Sequence, residues 1–547
     1  MNSNIQTETS ARLAAAFPAA DQVPPEFRLD TSHYQRLYLL DGQLRSWEGP
    51  VTEVASPICL REDGKLSRTV IGHVPLMDEA TGLAALDAAT RAWDNGLGRW
   101  PTLSVSARIE AVEGFVTRMV TVRDEVVKLL MWEVGKNLED SRKEFDRTVE
   151  YIRGTIEALK EIDRAGSRFS LADGVIAQTR RAPLGVVLSM GPFNYPLNEI
   201  YTTLIPALIM GNTVVVKTPK FGRLLHQPLL QAFARSFPAG VVNFLSGAGS
   251  EIIGPIMSTG QINALAFIGS SRVADILKHQ HPRPHRMRCI LGLDAKNPAL
   301  ILPDADLDLA VKECTTGALS FNGQRCTALK IIFVHESIAE SFLEKFCLSV
   351  NSLPIGMPWD RGVKLTPMPE IDKAKSMNAY VENAVAKGAN VVNPGGGAAC
   401  ETLYFPAIVY PVSPDSELYN KEQFGPVVPV CTYREEKEFL SFLAASNFGQ
   451  QVSLFGRDHE RIAALIDPIA NQVCRINLNC QCQRGPDMLP FTGRKDSAEA
   501  TLSISDALKC FSIRSLVAAQ SNPESRQIIQ QIVSGRHSNF LHTDFIL

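Results

Sequence analysis

Five short runs, GVVLSM, NTVVVK, VVNFLS, ALAFIG and PALILP, follow one another after Gly185, each continuously apolar and bounded by Gly, Pro or Asn. A strand that is apolar at successive positions has both faces buried, which in practice means a parallel sheet covered by helices on either side. Helical patterns such as Leu224 to Ser236 lie between the runs, so the expected unit is βαβ and the expected sheet doubly wound. A second α/β series starts near Leu291 and ends near Pro490. Upstream, apolar residues recur at helical spacing from Glu79 to Leu97 and from Val105 to Ile162, one helix carrying Glu144, Arg147 and Glu150. The segment YLLDGQLRSWEG reads as a hairpin turning at Asp41-Gly42. No repeat of fixed period is present.

A chain of 547 residues is too long for one core and implies two or three domains. The formal net charge of −3 provides no field to recruit nucleic acid or anionic membrane. The apolar stretch Ile200 to Val216 is broken by Pro206, Gly211 and Asn212, so it reads as a buried helix and strand, not as a membrane span. The polar start MNSNIQTETS lacks the pattern of a signal peptide. Eleven cysteines, an odd number without a CxxC framework, suggest free thiols in a reducing cytoplasm. No metal site is expected. Cys480 and Cys482 have no second pair nearby, and Pro282 and Pro284 keep His279, His281 and His285 off a common helix, leaving a solvated basic loop.

The segment Phe321-Asn322-Gly323-Gln324-Arg325-Cys326-Thr327 places a cysteine in a small loop beside a cation, where proximity of Arg325 would favour the reactive thiolate. Alone, such a cysteine is more often a small buried hydrophobe. It is not alone. In order come GPFNYP (191–196), GNTVVVK (211–217), FIGSS (267–271), AKNPALILPDADLD (295–308), GQRC (323–326), EQFGPV (422–427) and PFTGRK (490–495). With these motifs the chain resembles the aldehyde dehydrogenase superfamily over roughly residues 36 to 517.

The resemblance implies a fold with three parts: a dinucleotide-binding doubly wound α/β domain, a catalytic α/β domain and a β oligomerisation arm. The implied division is an N-terminal extension (1–34), loosely attached; a dinucleotide-binding domain (35–290), with oligomerisation strands near 36–57 and 168–184; a catalytic domain (291–490); a C-terminal oligomerisation segment (491–519); and a polar tail (520–547) whose final FIL is a candidate oligomer contact. A homodimer or homotetramer follows from exposed edge strands.

The resemblance also implies roles. Cys326 is the nucleophile, and the Asn194 amide with the Cys326 backbone N–H receives the oxyanion. Gly269 and Ser270 form the dinucleotide turn, Ser270 near a helix N-terminus suited to pyrophosphate; the usual later glycine is Ala274. Lys217 matches the lysine at the adenosine ribose. Lys220 stands where NAD-specific relatives often carry Glu, so NADP is the expected cofactor, with NAD possible. Glu422 and Phe424 would hold the nicotinamide ribose and ring. Arg147, Tyr195, Arg325 and Arg484, the last in QRGPD, resemble the set of non-phosphorylating glyceraldehyde-3-phosphate dehydrogenases and imply a small anionic aldehyde, since the arginine fork suits phosphate.

One position departs from the pattern. Relatives read LELGGK where this chain reads Leu291-Gly292-Leu293-Asp294-Ala295-Lys296, so the glutamate that activates the hydrolytic water is replaced by Gly292, 34 positions ahead of Cys326. Losing a general base costs about 10²–10⁴ in rate. Three outcomes stay open: another carboxylate such as Asp294, displaced by ~7 Å along the strand; an acyl acceptor such as coenzyme A or phosphate; or an impaired protein that only binds.

Overall fold

The computed structural model describes residues 2–32 and 35–544, with side chains from residue 5. Two sheets organise it. The first has six strands in the order Ala498–Glu499, Arg288–Gly292, Ala264–Ile268, Val186–Met190, Thr213–Lys217 and Val242–Leu245. All neighbours are parallel except the edge pair Arg288–Gly292 with Ala498–Glu499. The second has seven, in the order Asn390–Val391, Ala407–Tyr410, Val427–Tyr433, Ile331–His335, Pro298–Ile301, Gln451–Phe455 and Arg475–Leu478. The unbroken apolar runs have the expected cause. Val187, Val214 and Val216 feed the core on one face of the first sheet, and Val186, Leu188 and Val215 feed the core on the other. The second sheet divides likewise, Leu300, Ile331 and Phe333 to one side and Ala299, Ile301, Ile332 and Val334 to the other.

The expected break between residues 290 and 291 falls inside the Arg288–Gly292 strand, so the crossing between sheets is the loop after Gly292. Part of the expected C-terminal oligomerisation segment also belongs elsewhere, because Ala498–Glu499 completes the first sheet. A third sheet, antiparallel, joins Ser512–Gln520, Val175–Pro183 and Phe169–Ala172. The hairpin near 36–57 is not in it. Its turn forms as expected, with Asp41 at φ 52° and Gly42 at φ 74°, the left-handed pair of a two-residue hairpin. However, Asp41 N–H donates to Asn243 Oδ1 at 2.9 Å, which fastens the hairpin to the edge strand of the first sheet.

The N-terminal extension is not loose either. Its Asn2–Ala16 helix and the following turn bury Leu13 and Phe17 in the largest core. Arg61 closes the contact from its backbone, donating N–H to Pro18 O at 2.8 Å, and from its guanidinium to Ala14 O at 2.6 Å. The tail forms a helix at Pro523–Ser534, and the terminal FIL (545–547) lies outside the described residues. In the basic loop His281 is buried, not solvated. It accepts the Arg283 N–H at Nδ1 and therefore donates from Nε2 to Ile262 O at 3.1 Å. Among the described residues no helix is long and apolar enough to cross a membrane, and no group of His, Cys, Asp or Glu could hold a metal ion.

Candidate active site

Cys326 sits on the loop between the Leu307–Leu319 helix and the Ile331–His335 strand. The loop is bent by three successive left-handed residues, Phe321, Asn322 and Gly323, at φ 50°, 54° and 70°. Gly323 is required there, since a Cβ would lie 2.7 Å from Gly425 O and 2.8 Å from Ala318 O. Side chains just ahead of two strands of the second sheet hold the bend. Asn297 Nδ2 donates to Cys326 O at 2.8 Å, and Lys330 Nζ donates to Gly323 O at 3.0 Å and Gln423 O at 3.2 Å.

Asn194 approaches from the first sheet, on the loop after Val186–Met190, and its Nδ2 donates to Gln324 O at 2.8 Å. One amide hydrogen remains for another acceptor. That loop is held by a fully buried ion pair absent from the expected site. Lys136 contacts Glu144, donates to Asn194 O at 2.8 Å, and lies 3.6 Å from the centroid of the Tyr195 ring. The other Glu144 oxygen accepts the N–H groups of Leu197 (3.0 Å) and Asn198 (3.1 Å) at the start of the Asn198–Ile209 helix.

Two cavities meet at Cys326. The first, about 690 Å³, is lined by Lys217, Lys220, Gly269, Ser270, Glu422 and Phe424, every residue expected to hold the dinucleotide, together with Gly292 and Cys326. That volume lies within the range of cofactor pockets. Its lining suits a dinucleotide in particulars. Ser270 caps the Ser271–Gln280 helix, whose N-terminus opens on the cavity. Burial, with the nearby Arg223, pushes the Lys217 ammonium down to about 8. Burial raises the Glu422 carboxyl and lowers its partner Lys330, 3.7 Å away, while Glu422 Oε1 has no hydrogen-bond partner among the described residues and can accept one. Asp294 lines the same cavity, but one of its oxygens is engaged, accepting from Ser271 N (2.7 Å) and Ser271 Oγ (2.8 Å).

The second cavity, about 500 Å³, is lined by Arg147, Tyr195, Arg325, Arg484 and Cys326. The arginines are not bare. Arg147 forms a two-pronged pair with Asp487, at 2.9 and 2.6 Å. Burial alone would raise the Asp487 carboxyl, but the hydrogen bonds and charge of Arg147, with the charge of Arg484, hold it below its usual range. Buried Arg484 contacts Glu199 and lies 3.7 Å from Asp487, while its Nε and Nη2 make no hydrogen bond among the described residues. Glu199 and Asp487 were not among the expected site residues. A signal for Glu199 did exist: it is the only charged residue of NEIYTTLIPALI, a helix buried at every position.

The electrostatics of the thiol differ from the expectation in one respect. Burial, then the charge of Glu199, pushes the Cys326 thiol up to about 11, against the pull of Arg484 and Lys330. Arg325 is not among the groups that act on it most strongly. Its guanidinium is turned to Thr316 O, Gly317 O and Gln481 Oε1, so a neighbour in sequence is not a neighbour of the sulfur.

A sulfur at the junction of a dinucleotide-sized groove and a pocket lined by several arginines, between two mainly parallel sheets, is the build of a thiol-dependent dehydrogenase. The chain belongs to the aldehyde dehydrogenase family, whose profile matches residues 64–516. It is 33% identical over 436 residues to the NADP-dependent glyceraldehyde-3-phosphate dehydrogenase of Streptococcus equinus, covering 78% of this chain and 88% of that protein. It is 30% identical over 417 residues to the enzyme of the same name from Pisum sativum, covering 75% and 82%. Among solved structures it resembles NADP-dependent glyceraldehyde-3-phosphate dehydrogenase from Bacillus halodurans C-125 in complex with NADP, with TM-score 0.81 and 26% identity over 90% of this chain and 100% of the other.

Proposed function

We propose that this protein oxidises a small anionic aldehyde, glyceraldehyde 3-phosphate first among candidates, to the acid with NADP, through a thioester on Cys326. The observation that carries the reading is that Cys326 lines both cavities, one walled by the dinucleotide segments and the other by Arg147, Tyr195, Arg325 and Arg484. Cys326 attacks the aldehyde carbonyl, and the Asn194 amide hydrogen left free by Gln324 O, with the Cys326 backbone N–H, stabilises the oxyanion. Donors aimed at such a charge contribute about 3–4 kcal/mol each. NADP, when bound, accepts the hydride and brings a positive ring that favours the thiolate.

NADP is preferred to NAD because Lys217 and Lys220 line the groove where a 2′-phosphate needs cations, and Arg223 adds to their charge. Eleven free cysteines support a reducing cytoplasm. The exposed Leu171, Ile513 and Leu516 of the third sheet support its use as a contact between copies, in a dimer or tetramer. Gly292 favours one competing reading, transfer of the acyl group to coenzyme A or phosphate.

The test is steady-state kinetics with glyceraldehyde 3-phosphate and unphosphorylated glyceraldehyde, each with NADP and NAD and with or without coenzyme A. We expect kcat/KM at least about tenfold higher for the phosphorylated aldehyde, as one charge-assisted contact suffices to give, and higher for NADP than for NAD. Equal values for both aldehydes would overturn the anionic substrate, and turnover that requires coenzyme A would favour acyl transfer.

A further inference from the structure

We propose that Glu199 is the base that activates water to release the acyl group from Cys326, in place of the carboxylate missing at position 292. This deepens the thioester reading above and rests on it. The fold does not demand glycine at 292, because a Cβ there would meet only the Ile268 side chain, at 3.4 Å or more, an ordinary contact. The carboxylate is therefore absent without a steric reason, and hydrolysis needs another proton acceptor.

Several acids line one cavity or the other, but among the described residues Glu199 alone lines both, as Cys326 does. The rest are committed elsewhere or lie off the junction. Glu144 is bound by Lys136 and two N–H groups, Glu422 faces Lys330, Glu370 pairs with Lys373, and Asp294 caps Ser271. Glu139 pairs with Lys364, and Glu139 and Asp140 line the substrate cavity only. Of all side-chain charges, that of Glu199 also raises the Cys326 thiol the most, as a close carboxylate must. Glu199 is fixed on the first turn of the Asn198–Ile209 helix, the element that the Lys136–Glu144 pair fastens beside Asn194.

Arg484 holds the Glu199 side chain in place through a direct ion pair. In the step itself, the oxygen of water bonds to the thioester carbonyl carbon while a water proton passes to Glu199. The tetrahedral species then expels the Cys326 sulfur as the C–S bond breaks, and the proton on Glu199 returns to the thiolate. The products are the carboxylic acid and the free thiol, with no change of oxidation state.

The test is Glu199→Gln in the full-length protein, mixed rapidly with glyceraldehyde 3-phosphate and NADP. We expect an NADPH burst near one per subunit, a steady-state rate lower by about 10²–10⁴, and an acyl adduct on Cys326 visible by intact mass. Hydroxylamine, which needs no activated water, should restore turnover. The double variant Gly292→Glu/Glu199→Gln should recover hydrolysis, because position 292 has room for a side chain. Unchanged turnover in Glu199→Gln overturns the proposal while leaving the thioester reading intact. So does a slow steady state with neither adduct nor rescue by hydroxylamine. No NADPH from the parent protein with any aldehyde overturns the thioester reading itself.

Discussion

At the residue scale, Cys326 is defined by its opponents. Burial and Glu199 push its thiol up to about 11, so at neutral pH the thiolate is the minor form before ligands bind. A raised pKa makes the reactive form scarcer at low pH, so the alkylation rate of Cys326 by iodoacetamide should rise about tenfold per pH unit from pH 6 to pH 9, without a plateau. Peptide-resolved mass spectrometry separates it from the other ten cysteines. Bound NADP should speed the reaction at pH 7. A plateau below pH 8 in the free protein would contradict this balance of charges. Cys326, Asn194 and the dinucleotide-groove residues Lys217, Gly269, Ser270, Glu422 and Phe424 could be named from the sequence because each lies in a short motif, whereas Glu199, which lines both cavities, lies in none. The electrostatics were not. Sequence adjacency suggested that Arg325 would act on the sulfur, but the left-handed bend at Phe321–Gly323 turns that guanidinium to backbone carbonyls, and the groups that act most strongly come from elsewhere, Glu199 and Arg484 being 127 and 158 positions distant.

At the scale of elements, the Leu138–Gly166 helix and the Asn198–Ile209 helix are joined through Glu144, and Lys136 ties both to Asn194. Both side chains of the pair are fully buried. Replacing Lys136 by Met leaves a buried carboxylate without its counter-charge, at a cost of about 3–5 kcal/mol. We expect that loss in urea unfolding followed by tryptophan fluorescence, with slower NADPH formation as the Asn194 loop shifts. A change under about 1 kcal/mol, near that of an exposed pair, would contradict the role. Helices and buried strands were readable from period and composition, since apolar runs without alternation leave few folds. Partnership was not readable. The 36–57 hairpin had the right turn but the wrong neighbour, because Asn243 rather than the third sheet receives it. The Asn2–Ala16 helix reads as polar, and what anchors it is Leu13, Phe17 and the distant Arg61.

At the scale of the whole molecule, the two sheets lie so that loops from each converge on one sulfur. The first sheet brings Asn194, Gly269 and Gly292, and the second brings the Cys326 loop, Glu422 and Arg484. No single segment contains the site, which is why motifs scattered from GPFNYP to QRGPD had to be read together. The proposed chemistry depends on that convergence, and replacing the sulfur tests it most directly. In stopped-flow mixing of saturating NADP and glyceraldehyde 3-phosphate, the parent protein should form NADPH and Cys326→Ala should form none, while both bind NADP equally in calorimetry. NADPH formation by Cys326→Ala at the parent rate, or none by the parent with any aldehyde, would contradict the account.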